Sequence, residues 1–204
     1  LAEETGKLIE FFELANRLKT NKRTGWAERK IPACESIADH SFRLALMALV
    51  FAEKLGIDSA RAVKMALVHD LAEAITGDIQ RDHIDDYENS LGIKPSITKE
   101  QKSDGEKKAL KQIVGLLDKK SAKEILSLCN EYNERKTKTA RIVKELDGVE
   151  CMMQAIEYKR AFPENEPLDD FYFWYKKFGK IEIPELKKIV DKIMGEFEGQ
   201  LVKK

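Results

Sequence analysis

Cysteine is scarce in this 204-residue chain: Cys34, Cys129 and Cys151 are widely spaced and form no CxxC pair. That argues against a disulfide framework or a thiolate zinc site and makes a reducing cytoplasm the expected location. No apolar run approaches the ~20 residues a membrane helix needs, and the acidic start Leu1-Ala2-Glu3-Glu4 does not resemble a signal peptide. No membrane partner is expected. Charge of one sign is missing too, because 36 basic residues face 36 acidic ones. This balance removes the general electrostatic reason to expect polymeric nucleic acid or an anionic membrane, although a phosphate-sized substrate needs only a few cations. Histidine occurs only as His40, His69 and His83. Internal repeats, strand pairs and low-complexity tracts are absent from the pattern.

What remains is a chain with 43% apolar and 35% charged residues, the composition of a soluble domain with a heavily charged surface. Its length fits a single domain over 1–204 with a substantial core. The apolar period is helical throughout, so the expected fold is all-α. A first helix is read over about 5–19, then a basic loop over 20–35 containing Arg23 and Trp26. A second helix follows from Ser36 or Asp39 to Leu55, stopped by Gly56, and a third from Asp58 or Ser59 to about Gly77. Residues 78–97 lose the pattern and read as a long connection; His83 lies there and receives no metal role. Thr98 to Gln101 forms a capping box for a helix to about Leu117, and Ser121 opens another to about Asn133. A long amphipathic helix spans about 139–160. An aromatic-rich helix runs from Pro167 to Gly179, and a last one from Pro184 to about Leu201.

Chemistry concentrates in Ala66-Leu67-Val68-His69-Asp70-Leu71-Ala72-Glu73. Three polar groups in an apolar run are costly unless something pairs with them. On a helix His69 and Asp70 are about 100° apart, and Glu73 lies at i+4 and i+3 from them, so all three face one spot. Imidazole with carboxylate suits Zn, Mn, Fe, Co or Ni, and a further carboxylate beside the ion is placed to move a proton of water. Two other residues stand on apolar stripes: His40, ahead of Leu44, Met47 and Phe51, and Asp147, between Val143 and Cys151. For Asp147 a salt bridge to Lys144 is the competing reading, and for Trp26 a simple anchor in the core.

The order His40, His69-Asp70, Asp147 resembles the ligand signature of the HD-domain superfamily of metal-dependent phosphohydrolases. Further stretches resemble its branch of 5'-deoxynucleotidases and HD domain-containing protein 2. These are Arg23-Thr24-Gly25-Trp26, Glu35 to Ser41, Leu67 to Glu73, Thr76-Gly77-Asp78, Lys144 to Asp147 and Ala155 to Tyr158. The resemblance implies a helical bundle with its metal-site core over about 36–160 and a C-terminal helical extension over about 167–201. It implies one divalent ion (Co, Mn, Zn, Ni or Fe) on His40, His69, Asp70 and Asp147, with Glu73 as the catalytic base. The substrate would be a deoxyribonucleoside 5'-monophosphate, with Arg23 on its phosphate and Trp26 and Asp78 on its sugar side. Bacterial deoxynucleotidases carry an arginine directly before the tryptophan, whereas this chain has Gly25 there. The Arg-Thr-Gly-Trp form of eukaryotic members implies that Arg23 reaches the same phosphate. The resemblance also implies a homodimer, since relatives of this type tend to dimerise, and the aromatic helix from Phe171 to Phe178 suggests a surface for it. Other enzymes of the superfamily act on cyclic nucleotides, nucleoside triphosphates or alarmones, and a non-catalytic nucleotide-binding scaffold is a further alternative. A pure binder has no need of Glu73.

Overall fold

Helix boundaries follow local chemistry at most ends. In the computed structural model, which describes residues 2–79, 97–165, 167–178 and 181–201, the regular structure is α-helical. Among the described residues the extended pairing consists of an isolated antiparallel bridge between Lys22 and Ser36. The expected long connection, with His83, falls mostly on 80–96 and so lies outside the described residues. No helix among the described residues is long and apolar enough to cross a membrane.

The chain divides into two units, Leu1–Ser41 with Leu67–Asn130, and Phe42–Ala66 with Glu131–Lys204. The first holds α1 (Ala2–Asn16), a 3-10 turn (Arg17–Lys19), α2 (Thr24–Glu28) and the opening turn of α3 (Ile37–Leu55). It continues with the last residues of α4 (Ser59–Val68), then α5 (Glu73–Thr76), α6 (Lys99–Val114) and most of α7 (Lys119–Glu134). Its core gathers Leu14 and Leu18, Ile37, Leu71 and Ala74, Leu110 and Ile113, and Cys129. These apolar side chains bury the inner faces of α1, α5, α6 and α7.

The second unit holds the remainder of α3 and α4, the end of α7, α8 (Lys138–Ala161), α9 (Pro167–Phe178) and α10 (Pro184–Leu201). Here α8 is the spine, packed by both α9 and α10. Val143, Leu146, Val149 and Met152 on α8 are fully buried, as are Leu168 of α9 and Leu186 and Phe197 of α10. Lys159, itself buried, donates to the Pro163 and Asn165 carbonyls and pairs with Asp169, tying the end of α8 to the start of α9.

Several caps match the sequence reading. Ser36 and Asp39 cap α3 reciprocally: the Asp39 carboxylate accepts from the Ser36 backbone N–H at 2.8 Å, and Ser36 Oγ accepts from the Asp39 N–H at 3.2 Å. Those bonds to Ser36 hold the Asp39 carboxyl below its usual range. Thr98 and Gln101 form their capping box, and Gly56 stops α3 at φ +61°. Elsewhere the boundaries differ. Asp118 rather than Ser121 caps α7, because its carboxylate reaches the free N–H groups of Lys120 and Ser121 at 2.8 and 3.0 Å. The loop expected over 20–35 contains α2. The third helix does not continue to Gly77: α4 ends at Val68, and the chain passes through turns over 69–72 before α5.

Candidate functional site

The break after Val68 shapes the site. Leu71 N–H donates to Val68 O at 3.0 Å, Glu73 N–H to Asp70 O at 2.9 Å and Ala74 N–H to Leu71 O at 3.2 Å, each spanning three residues instead of four. This tighter winding replaces the α-helical spacing from which the sequence argument placed Glu73 under His69 and Asp70. Gly77, at φ +73°, then turns the chain out of α5 in a conformation that a side chain would resist.

The first unit brings His40, His69 and Asp70 together. His40 is fully buried on the opening turn of α3, and His69 is 8% exposed. Their rings meet edge-on with centroids 5.4 Å apart. Asp70 Oδ2 lies 2.9 Å from His69 Nε2 and 4.0 Å from His40 Nε2. Two imidazole nitrogens and a carboxylate oxygen converging in this way form a donor set that divalent transition metals accept, and such ions prefer mixed nitrogen and oxygen ligands. Burial works against charge on Asp70, but His69 first, then Arg23 and His40, outweigh it and hold its carboxyl well below the usual range.

Arg23 reaches the same carboxylate. Its Nη1 is 3.5 Å from Asp70 Oδ2, and its Nε is 3.9 Å from Asp78 Oδ2. Asp78 in turn braces the start of α2: Oδ2 accepts from the Thr24 backbone N–H at 2.8 Å, and its carbonyl accepts from the Thr24 hydroxyl. The Asn21 side-chain amide donates to the Glu73 carbonyl at 2.9 Å, so the basic loop is fastened both to α5 and to Asp78 just beyond it. Trp26 is 2% exposed, and its indole N–H donates to Glu35 Oε1 at 2.8 Å. The anchoring reading of Trp26 therefore describes its surroundings. An open cavity of about 490 Å³ lies beside this loop, lined by Arg17, Asn21, Lys22, Thr24 and the stretch from Ala74 to Asp78.

Glu73 is 5% exposed, and its Oε2 is buried with no hydrogen-bond partner among the described residues. Its carboxyl is pushed well above the usual range, by burial first and then by the charges of Asp70 and Asp78, against the pull of Arg23 and Lys102. Such a group takes up a proton more readily than an exposed glutamate.

Asp147 lies in the second unit, on α8. There Tyr132 donates its hydroxyl to Asp147 Oδ2 at 2.7 Å, and Lys144 pairs with the same oxygen. The salt bridge weighed from the sequence is present, joined by a tyrosine that the sequence reading did not single out.

An HD-domain sequence profile matches residues 15–193, a span that runs through both units. The human protein named 5'-deoxynucleotidase HDDC2 is 36% identical over 189 residues, covering 93% of this chain and 85% of its own length. The Schizosaccharomyces pombe protein named 5'-deoxynucleotidase hdd1 is 33% identical over 201 residues, covering 97% and 93%. The chain belongs to the HD-domain family, in the branch of these proteins. Among solved structures, the PH0347 protein of Pyrococcus horikoshii aligns with a TM-score of 0.67 at 30% identity, covering 94% of this chain and 99% of that one. Within this HD domain, residue order made His40 and the His69-Asp70 pair visible in the sequence. Glu35, in contrast, was quoted only as part of a motif. It receives the Trp26 indole and stands within 4.8 Å of a His40 nitrogen, a relation that no spacing rule predicts.

Proposed function

We infer that this protein is a 5'-deoxynucleotidase: it hydrolyses the phosphate ester of a deoxyribonucleoside 5'-monophosphate to the deoxyribonucleoside and inorganic phosphate. The observation that carries the reading is the convergence of His40, His69 and Asp70 on one point, in a chain about 36% identical to proteins of that name over most of its length. As ligands of one divalent ion (Co, Mn, Zn, Ni or Fe) we assign these three residues, with Asp147 as the fourth on the strength of the residue order. Such an ion, when bound, lowers the pKa of a water and screens the charge of the phosphate. Glu73 takes the proton of the attacking water, for which a buried carboxylate with raised proton affinity is suited. Arg23 holds the non-bridging oxygens, since a guanidinium presents paired donors in phosphate geometry. Asp78, at the edge of the open cavity, accepts a hydrogen bond from the remaining sugar hydroxyl while bracing Thr24.

To the sugar side of the substrate we also assign Trp26, which is buried, held by Glu35 and not part of the lining of that cavity; a rigid indole there would leave no room for a 2'-hydroxyl. Trp26→Ala is expected to narrow the ratio of dAMP to AMP hydrolysis, mainly by raising the rate on AMP, from a wild-type discrimination of ~10² or more. Trp26→Phe, which keeps most of the buried volume, should move the ratio less. An unchanged ratio in a folded Trp26→Ala protein would remove the indole from selectivity.

A homodimer fits the surface of α3, where Phe42, Leu46, Leu49 and Val50 are 46–63% exposed along one side of the helix. On the aromatic helix α9, Tyr172 and Tyr175 are buried within their own unit, and α3 is added to it as a proposed contact. Light scattering at micromolar concentration should give twice the 23.3 kDa chain mass, and Leu46→Glu should halve it. A monomeric mass for the wild type would contradict the assembly. We place the protein in the cytoplasm, consistent with three cysteines outside any disulfide, of which the Cys129 thiol is pushed up to about 12 by burial and then by the charge of Asp70.

A further inference from the structure

Tyr132, Lys144 and Asp147 form a polar cluster in the second unit. Asp147 sits one turn beyond Lys144 on α8, and Tyr132 projects from the end of α7. A lysine three residues before an aspartate is ordinarily an exposed ion pair of little consequence. Here the side chains of Lys144 and Asp147 are only 21% and 13% exposed, and Tyr132 is buried. Lys144 Nζ donates to the Tyr132 oxygen at 2.8 Å and lies 4.9 Å over the centre of its ring. An ammonium has donors only, so this bond takes a lone pair of the phenol and leaves its single hydrogen to be directed elsewhere. That hydrogen goes to Asp147 Oδ2 at 2.7 Å, the oxygen that Lys144 also contacts. Two donors on one oxygen fix the rotation of the carboxylate and thereby the direction in which Oδ1 faces.

We propose that Tyr132 is a positioning residue for Asp147, its hydroxyl oriented by Lys144 so that the carboxylate is preset for a divalent metal ion. This rests on Asp147 being the fourth ligand, as assigned above. Partners that orient ligands in this way typically contribute 10–100-fold to metal affinity. Tyr132 thus acts through Asp147, without contact to substrate.

The test is a cycle of Co²⁺ affinities, measured by competition with a chromophoric chelator, for wild type, Tyr132→Phe, Asp147→Ala and the double variant. Tyr132→Phe retains the ring and its packing, and a melting curve for each protein monitors the fold. The expected result is Co²⁺ binding weakened ~10–100-fold in Tyr132→Phe and at least as much in Asp147→Ala, with the double variant no weaker than Asp147→Ala alone. Excess Co²⁺ should restore turnover in Tyr132→Phe, which a purely structural lesion would not allow. Wild-type affinity in Tyr132→Phe beside a weakened Asp147→Ala overturns the positioning role and leaves the ligand assignment standing. Wild-type affinity in Asp147→Ala overturns the ligand assignment itself, and the proposal with it. Further weakening in the double variant means that the hydroxyl acts elsewhere, which also overturns the proposal.

Discussion

Glu73→Ala protein is expected to keep its metal and bind a deoxyribonucleoside monophosphate, yet turn it over ~10²–10⁴-fold more slowly, the usual worth of general acid-base assistance. The expectation follows from where the side chain sits. Glu73 is buried beside Asp70, its Oε2 has no hydrogen-bond partner among the described residues, and burial with the charges of Asp70 and Asp78 raises its affinity for a proton. A divalent cation near Asp70 would counter part of that push. What remains is a buried carboxylate whose affinity for a proton is raised by burial and by its acidic neighbours. Metal content is read by elemental analysis and substrate binding by calorimetry. Equal losses of metal and turnover would make Glu73 a ligand or a support for one instead of a base.

Replacing His40, His69 or Asp70 by alanine is expected to remove metal and activity together, to background, while the helical circular dichroism signal survives. Asp70 has the largest expected effect, because its Oδ2 faces both imidazoles and Arg23 at once. Removing it leaves three cationic or neutral donors without the carboxylate that organises them. Asp147→Ala should lose metal affinity and activity together, its Co²⁺ binding weakened at least ~10–100-fold but still measurable. Full metal content in any of these proteins would take that residue out of the ligand set.

Much of this arrangement was legible because it depends on local chemistry. Gly56 and Gly77 stop helices through their positive φ, Ser36 with Asp39 and Thr98 with Gln101 cap through side chains three residues apart, and Pro167 and Pro184 open the last helices. His40 stood out because a histidine on an apolar stripe needs a reason to be there. Features governed by tertiary contact were not legible. The interruption after Val68 carries no proline or glycine; it is a switch to bonds spanning three residues, which propensity and periodicity do not record. The helix over Thr24–Glu28 is too short to give a periodic signal, and its start is held by Asp78 from far along the chain. Lys144 could be paired with Asp147 from spacing alone, whereas Tyr132 comes from the preceding helix, at no helical spacing from Asp147.

The central claim is tested most directly by phosphate release from dAMP and AMP with the wild-type protein, after chelation and after re-addition of single divalent metals. The account predicts no release from the chelated protein, recovery with at least one of Co²⁺, Mn²⁺, Zn²⁺, Ni²⁺ or Fe²⁺, and a strong preference for dAMP in the recovered enzyme. Equal rates on dAMP and AMP, or undiminished release after chelation, would contradict it.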